Sequence, residues 1–358
     1  METKQHTLTK EEVRSQYNNL IGKKVFFIFF LLFAIILVSG ISASMGSANL
    51  SIWETYSSIL NRLFPAYFEP GWLADVCIWN LRLPRIFMGI VAGFGLGIAG
   101  CVTQAVLKNP LASPYTLGIS SGAGFGASLA ILTGISVAGG NYLVIGNAFL
   151  FALLCSFIIL GLSNRKGATP ETMILAGIAM MYLFAAMTTI LQYFGEAEAV
   201  KEAVFWTVGD LDRSSWPKIT IILGVLTCCL PLLMIKSLDL NLMAAGDETA
   251  ASLGVNVKRT RIILMSITTL LVACIVCFTG TIGFIGLVAP HFTRIAVGGD
   301  NRFALPVSGF LGALLLTSAD LVARRILAPI ILPVGAITAF MGAPLFLYMI
   351  MKRKREYW

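Results

Sequence analysis

Charge is scarce in this chain. Only 12% of its 358 residues are Asp, Glu, Lys or Arg and 57% are hydrophobic, whereas soluble domains average about a quarter charged. That balance excludes a soluble globular protein and indicates an integral membrane protein. Histidine is scarcer still: His6 and His291 are the only two, and His291, with no carboxylate close in sequence, makes no acid-base pair and reads as structural. Six of the seven cysteines (Cys101, Cys155, Cys228, Cys229, Cys274 and Cys277) lie inside apolar runs, and Cys77 stands alone in an outer loop. Neither a disulfide framework nor a metal site follows, because Cys274-Ile-Val-Cys277 has zinc-like spacing but no second pair.

Two further absences concern energy supply. No Walker A pattern occurs, so the chain carries no phosphate-cradling loop to bind and split ATP, and any ATP energy must come from a partner. No Asp, Glu, Lys or Arg falls in the middle of an apolar run, where each would cost roughly 2.5 to 3.5 kcal/mol. Proton- or sodium-driven carriers and intramembrane aspartyl proteases place such groups at mid-membrane, so both readings lose ground.

What is present is a series of runs long enough to cross a bilayer core, about twenty residues each. They lie near 24–44, 84–107, 115–134, 143–162, 170–194, 215–235, 259–279, 304–325 and 333–351, with a shorter one at 282–297. The expected fold is therefore all-α and polytopic, with about ten transmembrane helices. The N-terminal segment 1–23 is polar, too long and too charged for a cleaved signal, so the first span is retained. A transmembrane domain at 24–352 and a short tail at 353–358 complete the division.

An even number of spans puts both termini on one side, and charge assigns the side. With the N-terminus inside, 18 of the 26 Lys and Arg residues fall on inner segments and 8 on outer ones, as the positive-inside rule requires. The net charge of +8 thus marks cytoplasmic loops rather than a nucleic-acid partner.

Glycine punctuates two spans at four-residue intervals: Gly89, Gly93 and Gly97, then Gly118, Gly122 and Gly126. Such small-xxx-small faces let helix backbones approach closely. Gly95 to Gly100 formally matches a dinucleotide fingerprint, but no strand precedes it and it lies inside a span, so packing is the better reading. Arg85-Ile86 opens a span that ends near Asn109-Pro110, and Arg261-Ile262 opens a span leading to Ala289-Pro290. On the charge-derived topology these two spans run in opposite directions, which suggests inverted-repeat halves.

The longest polar interruption is Ser237 to Arg261. Asp247 is placed to cap a short helix over Glu248 to Leu253, and Gly254 stands where a helix takes a left-handed stop. A solvated connector is the plain reading of such a loop. The flanking Lys258, Arg259 and Arg261 put it in the cytoplasm, and its small Ala-Ala-Ser face suits insertion into a groove on another protein. It is read as a docking element.

Several stretches, in order, resemble the permease subunits of ABC importers for iron-siderophore complexes, haem and cobalamin. They are Arg82-Leu83-Pro84-Arg85, Gln104 through Asn109-Pro110-Leu111-Ala112, Leu117-Gly118-Ile119-Ser120-Ser121-Gly122-Ala123, Gly280 through Pro290-His291, Leu332-Pro333-Val334-Gly335 and Gly342-Ala343-Pro344. The resemblance covers about residues 75 to 352 and implies a type II importer permease with ten helices. It also implies a dimer of permeases, a homodimer here, working with two ATPase subunits that carry ATP and Mg, and an extracytoplasmic binding protein. No cofactor, metal or catalytic residue is expected in this chain.

The resemblance assigns sites as well. Asp247, Glu248, Ala250, Leu253 and Gly254 match the coupling helix that meets the ATPase. Arg82, Arg85 and Arg324 match outer arginines that pair with carboxylates on the binding protein, a geometry the guanidinium fork suits. Asn109 and Leu111, with Thr169, Pro170 and Leu175, match the cytoplasmic gate, although Thr169-Pro170-Glu171 departs from the family's hydroxyl-rich sequence. Ala199 to Gly209 is amphipathic enough for a helix at the outer interface, with Phe205 and Trp206 as anchors.

The expected function is ATP-driven import of an iron-siderophore, haem or cobalamin across the cytoplasmic membrane by alternating access. The rivals are an ion-coupled secondary transporter with inverted repeats and an intramembrane enzyme. The first requires uptake that survives inactivation of the ATPase and collapses with an uncoupler, and the second requires activity without partner subunits.

Overall fold

The structure, a computed structural model, describes residues 10–46 and 50–352. The basic tail residues Arg353, Lys354 and Arg355, like Lys4 and His6, lie outside the described residues. Fifteen α-helices follow one another: α1 (Lys10–Ser44), α2 (Ile52–Asn61), α3 (Trp72–Val76), α4 (Leu83–Leu107), α5 (Ile119–Thr133), α6 (Leu143–Arg165), α7 (Pro170–Phe194), α8 (Ala197–Val208), α9 (Trp216–Ile235), α10 (Ser237–Ala244), α11 (Asp247–Ser252), α12 (Val257–Thr279), α13 (Ile285–Val297), α14 (Asn301–Arg325) and α15 (Val334–Lys352). Among the described residues there is no strand.

Among the described residues seven helical stretches are long and apolar enough to cross a membrane, and α5, α13 and α15 supply three shorter apolar ones. The sum agrees with the ten spans expected, and the chain is a multi-pass membrane protein. Three local expectations need correction. The run at 115–134 is not one helix: Pro114–Leu117 winds as a 3-10 turn and Gly118, at φ 72°, breaks the chain before α5, which keeps only 15 residues. Helix α1 begins at Lys10, so much of the polar N-terminal segment is helical. Cys77 is buried and opens a π-helical turn, Cys77–Arg82, that joins α3 to α4.

Helix α4 is the axis of the fold. Its span is 83% buried, against 17% for α1 and for α7, and it packs against α14, α13, α12 and α9. The first glycine series explains this closeness. A methyl group on Gly93 would come within 2.5 Å of the Gly312 carbonyl oxygen, Gly97 faces the Ser308 carbonyl and Gly100 the Gly286 carbonyl. Backbone therefore meets backbone where lipid offers no hydrophobic drive. The second series serves other neighbours: Gly122 lies against Phe151 and Gly126 against Asn147, both on α6. By contrast α1 turns Phe26, Phe29, Phe30, Phe33 and Ile36 outward and buries only a narrow stripe around Leu31 and Ile35, the distribution of a helix facing hydrocarbon.

Candidate coupling, gate and pathway sites

The long polar interruption folds into two helices, α10 and α11, rather than one small helix in a loop. Gly246, at φ 130°, precedes α11, and Gly254, at φ 89°, ends it in the left-handed region as the sequence predicts. The Val255 and Gly254 N–H groups donate to Ala250 and Ala251 carbonyls at 3.0 Å, closing the helix end.

Two of the five candidate contact residues are not where the sequence put them. Asp247 lies in the first turn, with Gly246 at the capping position, and its side chain does not cap the helix. Its carboxylate instead accepts hydrogen bonds from Lys108 Nζ at 2.7 Å and from Arg261 Nη2 at 3.1 and 3.0 Å. Ala250 is fully buried against the body of the protein, because α11 rests that side on α10 and α12. The outward ridge is Glu248, Ala251, Ser252, Leu253 and Gly254, with Leu253 61% exposed. Partial burial of Asp247 pushes its carboxyl up, but the bonds from Lys108 and Arg261 outweigh this and hold it below the ordinary carboxylate range.

The candidate gate residues occupy two turns beside this helix. Lys108, at φ 49°, ends α4 in the left-handed region, and Asn109 Oδ1 accepts the Leu111 N–H at 2.9 Å, an Asx turn. Thr169 caps α7 by accepting the Thr172 N–H at 3.3 Å, with Pro170 at the first helical position, where its missing N–H costs nothing. Leu111 and Leu175 are 46% and 70% exposed.

At the opposite end the expected docking arginines turn inward. Arg82, Arg85 and Arg324 are 5%, 5% and 7% exposed, which corrects the reading of them as guanidinia open to an incoming carboxylate. Arg85 Nε donates to Asp320 Oδ1 at 2.7 Å and Arg85 also pairs with Asp212. Arg324 Nε lies 3.0 Å from Asp320 Oδ2, and its other nitrogens reach Ser42 and the Met45 carbonyl. Arg82 donates to the Ala43 carbonyl at 2.7 Å. Helix α1 thus brings its C-terminal carbonyls to these cations, the interaction its dipole favours. Asp320, only 2% exposed, is the residue the sequence reading missed. Its signal was an acid four residues before Arg324 on one helical face. All three arginines still border a cavity shared with Asn80, Asp212 and Ser214.

Helix α8 separates its two aromatic residues. Phe205 is 53% exposed, but Trp206 is 3% exposed and belongs to the main apolar core, so only Phe205 suits an interfacial anchor. Beside α8 lies an open cavity lined by Ser120, Ser121, Thr188, Thr207 and Thr281, with Gly124 and Ala185. Thr188 and Thr207 donate to carbonyls of their own helices, so their hydroxyl lone pairs remain as acceptors toward the cavity. Its lining carries no charge, and among the described residues no group of three His, Cys, Asp or Glu side chains is placed to hold a metal ion.

The family model described as the FecCD transport family matches residues 31–352. The chain belongs to the FecCD transport family. A protein of Methanocaldococcus jannaschii described as an ABC transporter permease is 44% identical over 350 residues, covering 95% of this chain and 98% of that protein. The hemin transport system permease protein HmuU of Yersinia pestis is 35% identical over 333 residues, covering 92% and 96%. Relatives named as cobalamin and iron(3+)-hydroxamate import permeases fall in the same set. Among solved structures, a metal-chelate type ABC transporter in an inward-facing conformation superposes with a TM-score of 0.80 at 29% identity, covering 91% of this FecCD-family chain and 99% of its own.

Proposed function

We propose that this chain is the permease subunit of an ATP-driven importer that carries an iron-siderophore complex, haem or cobalamin across the cytoplasmic membrane by alternating access. Hydrolysis of ATP with Mg takes place on two partner ATPase subunits, and a second copy of the chain completes the pathway. Both termini lie in the cytoplasm, and an extracytoplasmic binding protein delivers cargo to the outer face. The hydroxyl-lined cavity between α5, α7 and α8 forms part of the pathway wall. A neutral surface of acceptors suits a large polar chelate that must pass without being held. Asn109, Leu111, Thr169, Pro170 and Leu175 stand at the cytoplasmic gate, and Phe205 at the outer mouth.

The observation that carries this reading is the exposed ridge of α11. A 61% exposed Leu253 sits on a helix clamped to the membrane body, the arrangement of an anchor for a groove on another protein. A force on that ridge needs a packed element to act through, and α11 is one. Leu253→Asp is expected to abolish ATP-dependent import and to weaken co-purification of the ATPase while leaving the permease folded. Unchanged import in that variant would refute the coupling role. Uptake that persisted with an inactive ATPase and collapsed with an uncoupler would return the chain to the ion-coupled class.

For the binding protein, the proposed docking area is the rim of the cavity bordered by Arg82, Arg85 and Arg324. The exposed Arg325 lies one residue further on. An incoming carboxylate there has to compete with Asp212 and Asp320. Docking should weaken between low and physiological salt, since the exposed part of the contact is screened over roughly 8 Å.

A further inference from the structure

The Asp247 carboxylate does more than anchor its own helix. It is tied at 2.7 Å to Lys108, the residue that caps the C-terminus of α4 beside the Asn109 turn. Through Arg261 it is tied to α12, and Arg261 Nη1 donates onward to the Ala168 carbonyl at 2.8 Å, immediately before Thr169 and α7. Arg261 is 1% exposed and Ala168 is fully buried, so this second arm runs through the protein interior. The two turns reached are the two that carry the candidate gate residues.

Both turns also share an unusual backbone. Among the described residues only Lys108, Ala168 and Phe284 are non-glycine residues with positive φ. A left-handed conformation is unfavourable for an L-residue and persists only where the surroundings hold it. The Asp247 network meets two of these three positions, one through the strained residue's own side chain and the other through its carbonyl. A carboxylate that accepts from both cations fixes α11, the end of α4 and the start of α7 relative to one another.

We propose that Asp247 is the positioning residue that links the coupling helix to both cytoplasmic turns at once, so that displacement of α11 moves the two gate elements together. This rests on the coupling reading given above for α11. The carboxylate touches neither cargo nor nucleotide. It acts through Lys108 and Arg261, and neutralising it weakens the hold of α11 on both arms because the two cations meet the same charge.

The test uses the full chain with Cys228→Ser, which removes the exposed native cysteine, and spin labels placed at Leu111→Cys and Lys166→Cys, one on each turn. In nanodiscs without ATPase, Asp247→Asn is expected to raise the mobility of both labels, and Asp247→Glu to keep both near wild type. Asp300→Asn, which breaks a different cytoplasmic carboxylate cap, should leave both labels unchanged. In the complete importer, Asp247→Asn is expected to lower import per ATP hydrolysed about tenfold with the ATPase still co-purifying. Loosening of neither label, or of only one, overturns the shared link. Loosening of both with unchanged import per ATP overturns its role in coupling. A wild-type chain that fails to hold the ATPase overturns the coupling reading itself, and the label measurement, made without ATPase, shows whether the link between the turns exists independently.

Discussion

Replacing Asp320 by Asn should destabilise the protein far more than its position near a helix end suggests. The carboxylate is 2% exposed and is the acceptor at 2.7 Å for Arg85 and the counter-ion at 3.0 Å for Arg324. Asn keeps the shape and removes the charge. Arg85 then retains the half-exposed Asp212, but Arg324 is left with Ser42 and the Met45 carbonyl, both uncharged. Stripping one partner from a buried pair costs about 3–5 kcal/mol, because the remaining charge stays desolvated. That corresponds to a factor of roughly 10²–10⁴ in the unfolding equilibrium. The assay is reversible unfolding in mixed micelles, comparing Asp320→Asn with the triple variant Arg85→Met, Asp320→Leu, Arg324→Met. The triple variant removes Asp320 together with the two guanidinia it pairs with and is expected to recover most of the loss, since apolar replacement of a buried ion group is often neutral or stabilising. A single variant within about 0.5 kcal/mol of wild type would refute the claim that these guanidinia depend on Asp320.

Other expectations follow from the same geometry. Trp206→Ala should cost about 3–5 kcal/mol of stability, whereas Phe205→Ala should stay within about 0.5 kcal/mol; equal effects in the same unfolding assay would mean that α8 is not oriented as described. Gly93→Ala places a methyl group 2.5 Å from the Gly312 carbonyl and should cost about 1–3 kcal/mol by forcing α4 from α14, seen as a lower melting temperature. Asp300 should contribute to acid sensitivity. Hydrogen bonds from the Arg302 guanidinium outweigh partial burial and, with those from Asn241 and the Arg302 N–H, hold its carboxyl down at about 2. A depressed folded pKa contributes stability above the unfolded value of about 3.9 and loses it as pH falls from there toward 2. The stability of Asp300→Asn should therefore vary less over that window than wild type, and parallel curves would contradict the assignment.

Much of the fold was legible because hydropathy and helix punctuation act locally. The apolar runs at 84–107 and 170–194 do become α4 and α7, Gly254 does end α11, and the glycine intervals do mark close helix contacts. What could not be read depends on which face of a helix meets which neighbour. Arg82, Arg85 and Arg324 sit at the ends of apolar runs, where sequence reading turns them toward headgroups or a partner. Only the arrival of α1 and Asp320 shows that they face inward. Trp206 is buried and Phe205 exposed although they are adjacent, because α8 packs one side on α5 and α15. Asp247 had the spacing of a cap, but Lys108 lies 139 residues away in sequence, and no local pattern reports that pairing.

If cargo follows the proposed pathway, the wall of Ser120, Ser121, Thr188, Thr207 and Thr281 has a consequence for it. Hydroxyl groups acting one at a time do not compete with a multidentate wrapping for the ion inside it. A caged metal would therefore emerge with its coordination shell intact, and the stripping reaction, reductive or hydrolytic, would fall to other proteins on the far side.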